Sequence, residues 1–150
     1  MPIDDVNNLR TSLIPVIDDG RQLVAELGFR QRTVTLRTRT WSGGRPGSGT
    51  ATDVDVELTP RPKVGEPPAK LIFDAPGKYE AGDLIVSKIS ITYAETDLMP
   101  VPVAGTETIW LITNATDGRA REYKIVGVPA KASFGYTVQL RRRNRAPVDP

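Results

Sequence analysis

Residues 29–41 read FRQRTVTLRTRTW, and their alternation decides the fold. Val34, Leu36, Thr38 and Thr40 fall on one side, and Thr33, Thr35, Arg37, Arg39 and Trp41 on the other. A period of two in Thr- and Val-rich sequence is the pattern of a half-buried strand. The chain before this strand has a helical pattern. Nearly all of the chain after it alternates short apolar runs with Gly- and Pro-rich connections.

Outward toward the N-terminus, residues 4–27 carry Val6, Leu9, Leu13, Val16, Ile17, Leu23, Val24 and Leu27 at spacings of three, four and seven. Asp4 or Asp5 suits the start of a helix, and Gly28 suits its C′ position. Pro15 and Gly20 interrupt it, which predicts a kinked helix or two shorter ones, the second over 18–27. Its apolar side either packs on the β core or docks on another subunit.

Toward the C-terminus, residues 41–53 (WSGGRPGSGTATD) are too rich in Gly, Ser and Thr to form core. They lack the lysine and the following helix that a phosphate-binding loop requires. Residues 54–58 (VDVEL) alternate as a short strand or arm. Residues 59–70 (TPRPKVGEPPAK) hold four prolines, so they form an edge or a surface connector, with an SH3-type ligand role as the alternative. Further strands are expected at 70–74 (KLIFD), within 80–93 (EAGDLIVSKISITY), at 108–114 (TIWLITN), 121–128 (REYKIVGV) and 136–142 (YTVQLRR). Asp117-Gly118 marks a hairpin between two of them. Trp110 is expected in the core. The fold class is mainly β: a small antiparallel barrel or sandwich of about six strands with a helical N-terminus. A single domain is expected over 1–150: a helical lead-in at 1–28, a barrel over 29–142 with long loops at 42–53, 59–69 and 95–107, and a tail at 143–150.

Composition narrows the chemistry. The 150 residues include no Cys and no His, so disulfides, thiolate metal sites and the commonest general base are all missing. Asp53, Asp55 and Glu57 share one strand side, but they lack the turn of a calcium loop and are read as solvated. No Ser lies in a nucleophile motif. Enzymatic activity, metal and cofactor are therefore not expected. The net charge of +2 does not argue nucleic-acid binding by itself. No apolar run reaches the roughly 20 residues of a membrane span, and a soluble intracellular product is expected.

Two basic clusters stand out. Arg30, Arg32, Arg37 and Arg39 decorate the first strand, and Arg141, Arg142, Arg143 and Arg145 close the chain. Arg141 and Arg143 should share a face with Arg142 opposite. Both clusters are read first as solvated charge at strand ends, and are otherwise candidates for a DNA channel or for contacts between subunits. Trp41, Gly43, Gly44, Arg45 and Pro46, with Arg61 and Pro62 of the next connection, are the candidate assembly loops.

The helical lead-in ending LVAELGFRQRTVTLRTRTW, the segment GKYEAGDLIVSKI with Gly82-Asp83, and the closing pair EYKIVGV and FGYTVQLRRR resemble the neck proteins of tailed bacteriophages, the head-closure, stopper or head–tail adaptor group. The resemblance spans most of 20–142. It implies a β-barrel in a ring, commonly of about six copies, between the portal-side connector and the tail. The implied partners are other copies of the chain, a portal or adaptor protein, a tail terminator or tail tube, and packaged DNA in transient contact. It implies location in the virion, a structural role and no membrane. A phage tail-completion or terminator protein is the nearer alternative, and an OB-like nucleic-acid-binding module the more distant one.

Overall fold

The computed structural model describes residues 3–27, 32–74, 77–114 and 117–143, with residues 3–11 described by their backbone course alone. Gly28, Arg30, Arg145 and the rest of the tail at 144–150 lie outside the described residues, as do the side chains of Asp4 and Asp5.

A helix, α1 (Ile3–Glu26), leads into seven strands: β1 (Val34–Trp41), β2 (Ala51–Glu57), β3 (Lys63–Gly65), β4 (Leu84–Ile89), β5 (Thr106–Thr113), β6 (Ala120–Ala132) and β7 (Gly135–Arg142). Two short helices interrupt them, α2 (Ala69–Asp74) and α3 (Glu95–Leu98). The strands make one antiparallel sheet in the order β2-β1-β5-β6-β7-β4-β3, curled into a half-barrel. This is the mainly β class expected, with seven strands in place of about six.

Alternation places the core. Val34, Leu36, Trp110, Ile112, Tyr123, Val138 and Leu140 turn to the inner face, joined by Leu84, Val86 and Ile89 of β4. Register makes them neighbours: Val34 lies opposite Ile112, Leu36 opposite Trp110, and Trp110 opposite Tyr123. Leu58 follows β2, donates its amide to the Val34 carbonyl, and plugs the same core with Leu98 of α3.

Three departures from the sequence reading have local causes. Residues 70–74 are helical, not a strand. Pro68 accepts the Leu71 amide at the start of α2, where proline is tolerated, and Ala, Lys and Leu favour helix. Six residues are too few for periodicity to choose between helix and strand. The strand within 80–93 shrinks to β4, because 80–83 is a turn closed by Asp83 and 90–93 a second turn. A bulge follows Val86 in β4, where Lys88 takes φ 59°. Strand β6 runs past Val128 to Ala132, because a register shift between Val126 and Ala130 absorbs Pro129, whose missing N–H an unbroken ladder would not accommodate.

Helix α1 is continuous through Pro15. Its C-terminal half is fastened by polar contacts. Arg21 donates to the carbonyls of Lys88 (3.0 Å) and Phe134 (2.7 Å), and Ser90 donates to Asp18. The bulge in β4 turns the Lys88 carbonyl toward the helix. Gly135 lets the β4 backbone and Arg21 approach, since a Cβ there would stand 2.8 Å from the Ile89 carbonyl oxygen and 3.4 Å from Arg21 Nη1.

Candidate interaction surfaces

Opposite charges face each other across β1 and β2. Arg37 lies opposite Asp55 and Arg39 opposite Asp53. Each pair is bidentate. Arg37 donates through Nε (2.8 Å) and Nη2 (3.0 Å) to Asp55, and Arg39 does the same to Asp53 at 2.8 and 3.1 Å. These hydrogen bonds hold both carboxyls below their ordinary pKa and raise both guanidinium groups. Arg143 extends the pattern, reaching Glu122 at 2.8 Å and Glu107 at 3.2 Å. Ile109 faces outward opposite Arg37 yet is fully buried. The outer face is thus a charge-compensated sheet, and Arg37, Arg39 and Arg143 are engaged within their own chain.

Arg141 belongs to a tighter cluster. Asp83 is 1 % exposed and accepts from Arg141 Nε and Nη2, both at 3.1 Å. Gln139 Nε2 (2.9 Å) and the Glu80 amide (3.0 Å) complete its shell. Burial alone would raise the Asp83 pKa, but hydrogen bonds from Arg141, the Glu80 amide and Gln139 outweigh it and hold the carboxyl below its ordinary value. Gly82-Asp83 therefore clamps the turn before β4 onto β7. As expected, register puts Arg141 opposite Lys124 on the outer side and Arg142 opposite Tyr123 on the inner side. Arg142 is exposed.

The candidate assembly loop at 42–50 is closed on itself. Ser42 donates to the Thr50 carbonyl, Gly43 to that of Ser48, and Gly44 to that of Trp41. Trp41 also donates to the Gly105 carbonyl at 2.7 Å, and a Cβ on Gly105 would meet the Gly44 backbone at 2.9 Å. Arg45 and Pro46 are exposed at its tip, while Trp41 is half-buried beside the Arg39 guanidinium. In the second connection Arg61 is half-buried and Pro62 is fully buried, so Pro62 is part of the packing and not a contact arm.

An uncovered apolar surface lies on the inner face at the β2 edge. Val54 and Val56 point the same way as Thr38 and Leu36, toward the core side, yet both are exposed. Two neighbouring hollows share Thr38 and Pro100: Val56, Leu58 and Tyr93 line one, and Met99, Val101 and Val103, also exposed, line the other. Strand β2 ends the sheet, so its outer backbone groups have no ladder partner in the sheet order. On α2, at the other end of the sheet, Phe73 is 88 % exposed. Sequence reasoning placed Val54 and Val56 on one side but missed Met99, Val101 and Val103. Their signal was alternation, MPVPV, inside a stretch read only as a proline-broken loop.

Among the described residues no three His, Cys, Asp or Glu are placed to hold a metal ion, and no helix is long and apolar enough to cross a membrane. Comparison with known families, curated proteins and solved structures finds no match to this chain.

Proposed function

We propose that this chain is a structural subunit that assembles with its own copies, and that its place is the neck of a tailed bacteriophage, between the portal-side connector and the tail. One observation carries the assembly part: Val54, Val56 and Val101 are exposed apolar residues, the first two on the strand that ends the sheet. Exposed apolar surface rimmed by polar groups marks protein contacts, and a free edge is a template for pairing. The neck assignment rests on the sequence resemblance. Portal or adaptor on one side and tail terminator or tube on the other are the partners that position supplies. Contact with passing DNA falls to exposed arginines such as Arg142 and Arg45, since Arg37, Arg39, Arg141 and Arg143 are engaged with carboxylates.

The test has two parts. Val54→Asp with Val101→Asp changes two exposed positions, so the stability of the subunit should move by no more than about 1 kcal/mol. Self-association or docking on the neck partner should be lost. Imaging of labelled protein in purified particles should place it between head and tail. If label is missing from tailed particles, the neck assignment falls. If the double variant assembles like the original chain, this surface is not the contact.

A further inference from the structure

Helix α1 has two apolar sides, and the half-barrel uses one of them. Ile14, Ile17, Val24 and Ala25 lie on the side of Asp18 and Arg21, the residues that fasten the helix, and all are half-buried or buried. A second stripe runs beside it. Leu13 is 40 % exposed, Val16 64 %, Leu23 56 % and Leu27 64 %. With Gly20 between them, positions 13, 16, 20, 23 and 27 are spaced three, four, three and four. In sequence the same spacing continues back through Leu9 to Val6, along a backbone that is helical from Ile3. A strict alternation of three and four is the heptad seam by which one helix packs on another like itself. A helix serving only its own domain needs one broad apolar side, not a separate narrow one.

We infer that this stripe packs in parallel against the same stripe of a second copy of the chain. The inference needs only the chain itself and stands apart from the neck assignment.

Gly20 supports close approach. Among the described residues, and apart from its own turn of helix, nothing lies within 4 Å of where its Cβ would stand, so packing within the chain gives no reason for glycine there. Glycine inside a helix costs about 1 kcal/mol relative to alanine. A second helix crossing at that point explains it, because only glycine lets backbones come so near.

Charge sets the direction. Asp19 and Glu26 flank the stripe seven residues apart, and Asp5 holds the same heptad place in sequence. An antiparallel pair would bring these acidic rows together. A parallel pair keeps the two acidic rows on opposite sides of the seam. Asp5 precedes Arg10 by five residues, the offset at which flanking positions meet across a parallel pair. Parallel helices follow from rotation about an axis along them, which a closed ring of subunits also supplies.

The chain has no cysteine, so single-cysteine variants of the full chain report contacts on a clean background. In a parallel pair each seam residue faces its own counterpart within disulfide range. Val16→Cys and Leu23→Cys should each form disulfide-linked dimers under mild oxidation. Gln22→Cys, on the polar side where Gln22 bonds Glu26, should stay largely monomeric. Leu23→Glu should weaken self-association by at least about tenfold, with helicity and melting unchanged when measured at concentrations too low for association. The inference is overturned if Val16→Cys cross-links no faster than Gln22→Cys. It is also overturned if Leu23→Cys links to Val101→Cys in preference to itself, which would put the helix against that surface of a neighbour. Unchanged assembly size for Leu23→Glu would count against it equally.

Discussion

Trp110→Ala should destabilise the subunit by about 3–5 kcal/mol and lower the melting temperature by roughly 10 °C. Trp110 is 1 % exposed and sits on β5, the strand between the first hairpin and the last two strands. Leu36 on one side and Tyr123 on the other lie opposite it, so its removal opens a void that neither neighbour can fill alone. Its indole Nε1 is buried and has no hydrogen-bond partner among the described residues. An unmade hydrogen bond costs about 1–3 kcal/mol, so the site stabilises through apolar contact and in spite of its N–H. Trp110→Phe deletes the orphan donor with part of the ring and should therefore lose far less than Trp110→Ala. Trp41 offers the contrast. It is half-buried on the outer face, with the Arg39 guanidinium 6.0 Å from its ring, and Trp41→Ala should cost about 1–2 kcal/mol. Urea melts of the three variants check this order. Equal losses for Trp41→Ala and Trp110→Ala would show that the core does not centre on β5.

The sequence made the inner and outer sides of β1 legible, because a period of two can be read directly from Val34 through Trp41. The hairpin at Asp117-Gly118 was legible for the same local reason: turn chemistry lies within a few residues. What failed was length and distance. KLIFD, being one turn long, satisfied a strand and a helix equally. The roles of the arginines failed because alternation says which side a side chain takes but not what waits there. Arg141 and Arg143 do share a side, as expected, yet Asp83 lies 58 residues from Arg141 and Glu107 lies 36 from Arg143. Arg37 and Arg39 were nearer to being readable. Asp53 and Asp55 alternate at the same period just beyond a turn-rich stretch, and folding 29–57 into a hairpin sets acid against base. The two-sided character of α1 was also present as overlapping spacings. Which spacing the barrel would use depends on Arg21 meeting a bulge in β4, and no local pattern contains that.

Asp83→Asn should cost about 2–3 kcal/mol at neutral pH, the range for hydrogen bonds to a charged group, and that cost should vanish in acid. The substituted asparagine would keep the size of the side chain and one acceptor oxygen. It would lose the charge that Arg141 pairs with and would set an amide N–H against donors from Gln139 or Glu80. The direction with pH follows from linkage. The folded-state pKa of Asp83 is depressed, so its contribution is complete above the unfolded value of about 3.9 and is lost as pH falls through the folded value. The stability gap between the original chain and Asp83→Asn should thus be flat from about pH 5 to 8, begin to narrow below about pH 4, and close once pH falls past the folded value, where a protonated Asp83 no longer differs in charge from asparagine. Asp53 and Asp55 are also depressed by their arginines, but they lie on the solvent-exposed outer face of the edge strand. Their contribution should fade in about 0.5 M salt, while the Asp83 contribution persists, because the buried carboxylate is beyond the reach of screening ions. Urea midpoints for the two proteins across pH, at low and high salt, separate these terms. A gap that does not narrow at all as pH falls below about 4 would mean that Asp83 acts through shape and not charge. A gap that salt removes would mean that the Asp83–Arg141 pair is open to solvent and does not clamp the turn onto β7.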